Sequence, residues 1–120
     1  MTPYLAIHGV PLVIEFLKQV FDAEAVEIHK GADGGIRNAE LKVGNSMVLM
    51  GEKPKNEAPF PGMLYLYVDD VDQYYKRAIQ AGGKSLRVPT NQDYGDRVGG
   101  VEDSSGNQWW IATRLKRSNS

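Results

Sequence analysis

Cysteine is absent from the 120 residues. That excludes disulfides, a thiol nucleophile and thiolate-bound zinc, and it fits a cytoplasmic address. Histidine occurs only as His8 and His29. Neither sign of charge is in excess: 14 Lys+Arg face 15 Asp+Glu, for a formal charge of −1. Such a balance gives no electrostatic footprint for nucleic acid or an anionic membrane surface. Long apolar runs are missing too. Stretches such as Val10 to Ile14 fall far short of the roughly 20 residues a membrane span needs. The start, Met1-Thr2-Pro3-Tyr4, has no basic segment followed by an apolar one, so no signal peptide is expected. What is present is 42% hydrophobic and 24% charged residues, the composition of an ordinary globular domain and enough chain for one domain, 1–120.

The order of residues says more. Tyr4 to Ile7 reads as a strand. Val10, Val13, Phe16, Leu17, Val20 and Phe21 recur at three- and four-residue spacing, which predicts a helix over 10–21. Ala25 to Lys30 is extended, and Gly31-Ala32-Asp33-Gly34-Gly35 is a turn. Ile36 to Val43 alternates, with Ala39, Leu41 and Val43 on one face and Asn38, Glu40 and Lys42 on the other. Gly44-Asn45 turns the chain into Met47 to Met50. Residues 52–62 carry three prolines and no periodicity, and then the order repeats. Met63 to Val68 is a strand, and Asp70 with Gln73 forms a capping box. Val71, Tyr75, Ala78 and Ile79 make a helical stripe that Gly82-Gly83 ends. Strands follow at Leu86 to Val88, Tyr94 to Val101 and Gln108 to Leu115, with a frayed tail over 116–120. Two β-α-β-β-β modules, about 2–51 and 63–115, are thus offset by about 61 residues. One helix covers one face of a four-stranded sheet. The other face calls for a ligand or a partner.

Taken together, these segments resemble the vicinal oxygen chelate superfamily, which includes glyoxalase I, extradiol dioxygenases and bleomycin-resistance proteins, and within it the PhnB-like branch. The likeness rests on Thr2-Pro3-Tyr4-Leu5, on Ile14-Glu15-Phe16-Leu17-Lys18 with Val20-Phe21, and on Asn38-Ala39-Glu40-Leu41. It rests further on Tyr67-Val68-Asp69-Asp70-Val71-Asp72, Ala78 to Gly82, Gly95-Asp96-Arg97 and Gly106-Asn107-Gln108-Trp109. The resemblance implies an α+β fold whose two βαβββ modules form a curved, cup-like mixed sheet, and a homodimer that completes the cups between chains. Asp22 stands where the family usually has glycine. Asp tolerates the left-handed conformation less well, so a different turn is expected there.

Metal-dependent members hold a divalent ion with four side chains, one from each of four strands. Matching motif to motif puts those positions at Thr2, at Val48 or Leu49, at Met63 and at Trp110. None is a usual ligand of a hard or borderline ion. The expectation is a chain with no metal and no cofactor. His8 and His29 fall far apart, and read as surface or half-buried imidazoles. Glu40 faces the cup as a lone acid or ligand, or else pairs with Lys42 or Arg37. Ser46, Ser104 and Ser105 lie in turns without a nucleophile-elbow sequence, and no glycine run has the strand–loop–helix order of a phosphate loop. Asp96-Arg97 either receives an anionic ligand at Arg97 or forms a local ion pair.

The aromatics carry the functional expectation. Tyr65 and Tyr67 share a strand face with Met63, Tyr4 holds the corresponding face of the first strand, and Trp110 lies on the cup floor near Leu49. Trp109, in the opposite phase, packs under a helix. Tyr4, Glu40, Leu49, Met63, Tyr65, Tyr67, Arg97 and Trp110 are therefore the candidate ligand-binding residues. They imply metal-independent binding of a hydrophobic or aromatic small molecule by stacking and burial, resembling bleomycin-resistance proteins. Two alternatives stay open. One is a superfamily enzyme (lyase, isomerase or dioxygenase) with an atypical or absent metal. The other is an interaction module whose aromatics fill the cup or a dimer interface.

Overall fold

The structure, a computed structural model, describes residues 1–115; the tail expected to fray lies outside the described residues. Strand β1 (Tyr4–Ile7) leads into helix α1 (Val10–Phe21), β2 (Glu24–Lys30), β3 (Ile36–Val43) and β4 (Ser46–Glu52). The second module repeats this as β5 (Met63–Tyr67), α2 (Val71–Gln80), β6 (Lys84–Asn91), β7 (Asp96–Glu102) and β8 (Gln108–Arg114). The class is α+β, with two βαβββ modules.

Each module forms its own four-stranded sheet, in the orders β1-β4-β3-β2 and β5-β8-β7-β6. Consecutive strands pair antiparallel through short turns. The first strand of each module lies parallel to the last, because the helix carries the chain back across the sheet. The expected pair of modules thus appears as two four-stranded mixed sheets, one from each. The inter-module loop bridges Phe60 to Ala6, with the Phe60 N–H donating to the Ala6 carbonyl at 2.6 Å. That takes up a β1 edge position. The outer strands β2 and β6 each carry two shifts of register.

Helix α1 buries the whole expected stripe, plus Ile14, against β3 and β4. Full burial of a side chain such as Leu17 is worth roughly 1.5–3 kcal/mol. Its first turn is held from a distance: the Glu52 carboxylate accepts from the backbone N–H of Gly9 at 2.9 Å and of Val10 at 2.8 Å. Helix α2 starts on the predicted cap, with Asp70 accepting from Gln73 at 3.3 Å. Thr113 Oγ1 adds a bond from the Val71 N–H at 2.8 Å. Its stripe is narrower than expected, since Ile79 is exposed while Val71 and Ala78 are buried.

The expectation at Asp22 is corrected. Asp22 itself adopts the left-handed conformation, φ 54°; its N–H bonds back to the Lys18 carbonyl at 3.1 Å, and the Ala23 N–H to the Leu17 carbonyl at 3.3 Å. The turn is the one glycine would make. The carboxylate gains a partner there, receiving Arg77 of α2 at 3.0 Å. The two helices meet around this contact. Phe21 stacks on Tyr74 with centroids 5.9 Å apart and lies 6.1 Å from Trp109. One hydrophobic core runs through both modules, in a body of 59 × 24 × 24 Å.

Candidate functional site

Alternation along each strand leaves both sheets with a face that no helix covers. On the second sheet the register sets out rows across that face. Tyr65 lies opposite Trp110, Trp110 opposite Gly100, and Gly100 opposite Arg87. The indole lies across Gly100, where an added Cβ would come within 2.5 Å of the ring; only glycine admits it. The Trp110 Nε1–H donates to Gln108 Oε1 at 3.0 Å, and the Arg87 guanidinium sits 5.7 Å from the ring centre. Met63, 71% exposed, stands at the end of the same face.

Next to this row is a polar cluster that the sequence reading did not assemble. Tyr65 and Tyr67 meet edge to face at 5.5 Å. Both phenols donate to Asp96 Oδ2, at 2.6 and 2.9 Å. Arg114 lies 4.4 Å over the Tyr67 ring. Burial, then the bond to Asp96 and the neighbouring Tyr94, push the Tyr65 phenol well above its ordinary range. The bond to Asp96, followed by burial, raises Tyr67. The Tyr65 bond, then those of Tyr67 and the charge of Arg114, hold the Asp96 carboxyl below its ordinary value. The result is two neutral donors fixed on one ionised acceptor.

The first sheet is different in kind. Tyr4, Leu49, Glu40 and Glu27 form one row across its open face. They share a hollow of about 210 Å³ with His29. The Tyr4 hydroxyl reaches over Gly51. Beyond it a groove of about 920 Å³ extends to Arg37, Lys53 and Lys55. Glu40 is half-buried and joins none of the ion pairs among the described residues, so the pairing with Lys42 or Arg37 is not formed.

The structure thus brings Met63, Tyr65, Tyr67 and Trp110 together on one sheet, and Tyr4, Leu49 and Glu40 together on the other. It does not bring Arg97 to either group. Adjacent strand residues point to opposite faces, so Asp96 and Arg97 part company. Arg97 forks onto Asp72 of α2 at 2.8 and 3.0 Å and onto Asn91 at 3.0 Å, and it lowers the Asp72 carboxyl below its ordinary value. Neither an anion site at Arg97 nor a local pair with Asp96 results. Period-two alternation could have separated Asp96 from Arg97, but not told which residues across the sheet Asp96 meets.

Of the four positions that hold metal in metal-dependent relatives, the second falls at Leu49, since Val48 is buried on the helix side. Thr2, Leu49, Met63 and Trp110 offer a hydroxyl, a thioether, an indole and no carboxylate or imidazole, and do not fit a hard or borderline ion. Among the described residues no three of His, Asp and Glu gather at metal-binding distance. His8 bonds to the Pro54 carbonyl at 3.1 Å, and His29 is exposed beside Glu27. No helix among the described residues is long and apolar enough to cross a membrane.

An uncharacterised protein of Mycobacterium bovis is 26% identical over 130 residues, which span 99% of this chain and 86% of that protein. Among solved structures, TioX from Micromonospora sp. ML1 superposes with a TM-score of 0.81 at 24% identity, covering 96% of this chain and 98% of that one. The fosfomycin resistance protein FosX from Mesorhizobium loti superposes at 0.68 and 18% identity, covering 93% and 87%. These likenesses show the fold. The sequence model of the Glyoxalase/Bleomycin resistance protein/Dioxygenase superfamily matches residues 9–111, and the chain belongs to that superfamily.

Proposed function

We propose that this protein is a metal-independent binder of a planar, hydrophobic or aromatic small molecule, held against the open face of the second sheet without turnover. The observation that carries the reading is the indole of Trp110 laid over Gly100, with Met63 and Tyr65 exposed beside it. An indole fixed flat on a strand is a stacking surface, and a central Trp is the typical hot spot of an apolar site. The resistance activity named for the FosX neighbour agrees with a family role in handling small molecules. A place in the PhnB-like branch and a cytoplasmic address belong to the same proposal.

A second copy supplies the opposite wall. The first sheet's open face carries Glu27 and Glu40, and the second carries Arg87 and Arg114. Each face carries exposed apolar area and charges of both signs, Lys42 beside Glu40 on the first and Asp96 beside Arg114 on the second, which can pair across a seam. The assembly is a homodimer of about 27 kDa, burying well over ~1,000 Å² in total. Sedimentation at tens of micromolar tests it, and a monomer there overturns it.

Fluorescence tests the site. Trp109 is 1% exposed and Trp110 half-buried, so the two tryptophans report separately. Saturable quenching by planar aromatic compounds is expected for the wild type. Trp110→Phe should bind the same compound about tenfold more weakly. No saturable quenching by a broad aromatic panel overturns the binding reading and leaves an interaction module. Turnover of a bound compound would favour the enzyme alternative.

A further inference from the structure

Asp96 is only 5% exposed, yet its carboxylate belongs to an open sheet face. Both phenols that reach it donate to one oxygen, Oδ2. Its other oxygen, Oδ1, accepts from no donor among the described residues. No enclosed side-chain nitrogen or oxygen among the described residues lacks a partner, so Oδ1 must meet solvent. An ionised carboxylate has about four acceptor sites, and half of these stand free. Nor does a cation close on it. Asp96 is in none of the ion pairs among the described residues. Arg114, its partner in register, lies over the Tyr67 ring instead.

Resting on the reading that this face binds a planar aromatic molecule, we propose that Asp96 Oδ1 anchors a positively charged nitrogen of that molecule, so that the ligand class is a flat aromatic cation. Tyr65 and Tyr67 fix the carboxylate and leave one oxygen to the ligand. Their rings, which meet edge to face beside the carboxylate, add the attraction of aromatic quadrupoles for a cation, while Trp110 supplies the stacking surface farther along the face. Arg87 over Trp110 and Arg114 over Tyr67 are the competing features, since a guanidinium selects anions. Both guanidiniums sit on exposed, flexible side chains, whereas the Asp96 carboxylate is held in one orientation by the two phenols. The phenol bonds keep the carboxyl ionised at neutral pH.

The test uses one ring system in three charge states at neutral pH: proflavine as the cation, acridine as the neutral form and acridine carboxylate as the anion. Each is titrated calorimetrically into the full chain. Proflavine should bind about 10- to 100-fold more tightly than acridine, the range of a hydrogen bond to a charged group, with the anion weakest. Asp96→Asn should reduce proflavine to the level of acridine and leave acridine unchanged. Equal affinity for cation and neutral form, preference for the anion, or an equal loss of all three in Asp96→Asn overturns the inference while the binding reading stands. No binding by any of the three overturns both. The comparison of probes on the unaltered chain decides the matter even if Asp96→Asn does not fold.

Discussion

Two carboxylates mark the ends of β7. Asp96 begins the strand and Asp103 follows it, and each is 5% exposed. They are treated in opposite ways. Asp103 Oδ1 takes the N–H groups of Ser105 and Asn107 at 2.9 and 3.0 Å. Its Oδ2 takes Asn107 Nδ2 at 2.9 Å and Trp109 Nε1 at 2.8 Å. Asn107 in turn accepts from the Gly62 N–H at 2.9 Å, tying the β7–β8 turn to the inter-module loop. Both oxygens are spent on backbone and core. At Asp96 one oxygen holds two phenols and the other faces outward. The difference separates a carboxylate that builds the fold from one that is displayed by it. Burial alone does not tell them apart; the identity of the donors does.

The comparison breaks most readily at Asp103. Asp103→Ala strands the donors of Asn107 and Trp109 inside the protein. It should cost about 3 kcal/mol in chemical denaturation, the scale of a broken buried network. Asp96→Asn keeps its shape and an acceptor for the phenols but loses the charge, and should lower the denaturation midpoint less than Asp103→Ala does. If the two variants fall in the opposite order, the distinction is wrong. The adjacent tryptophans repeat the contrast. Trp109→Phe removes a core indole and its bond to Asp103, and should cost about 2 kcal/mol. Trp110→Phe should cost under about 1 kcal/mol while it carries the loss of ligand quenching. Equal destabilisation would place Trp110 in the core.

The smallest effect is a dependence on pH. The folded state raises the phenols of Tyr65 and Tyr67 above the ordinary 10.0. Their contribution is therefore complete below pH 10 and is lost as pH rises beyond it, because the unfolded chain releases those protons first. Asp96 lies below the ordinary 3.8. Its contribution is present above that value and fades as pH falls through it. Denaturation midpoints of the wild type and Tyr65→Phe between neutrality and strongly alkaline pH should converge at the alkaline end. A constant difference would show that the phenol proton is irrelevant to stability.

Most of the fold was legible in the sequence. The boundaries of β1 and α1 follow from Tyr4 to Ile7 and from the stripe Val10 to Phe21, because period two and period three-to-four are local signals. β6 is longer than Leu86 to Val88 suggested, running Lys84–Asn91; Pro89 and two register shifts obscure its alternation. The site was half legible. Alternation grouped Met63, Tyr65 and Tyr67 correctly and set Trp109 against Trp110. Arg97 with Asp72, Glu52 with the start of α1, and the two phenols with Asp96 are pairings across 25 to 43 residues. No spacing rule reaches that far, and only the register of the sheets brings them together.

The bulged outer strands have a bearing on how this molecule associates. β2 and β6 are exposed along nearly their whole length and carry Val26, Ile28, Leu86 and Val88. Straight, such borders would recruit further strands and seed fibrils. Two slips of register in each, Pro89 in one and Glu24 and Glu27 in the other, deny an incoming strand an even ladder of donors and acceptors. Growth by adding strand to strand is thereby discouraged, and an open-ended fibre with it.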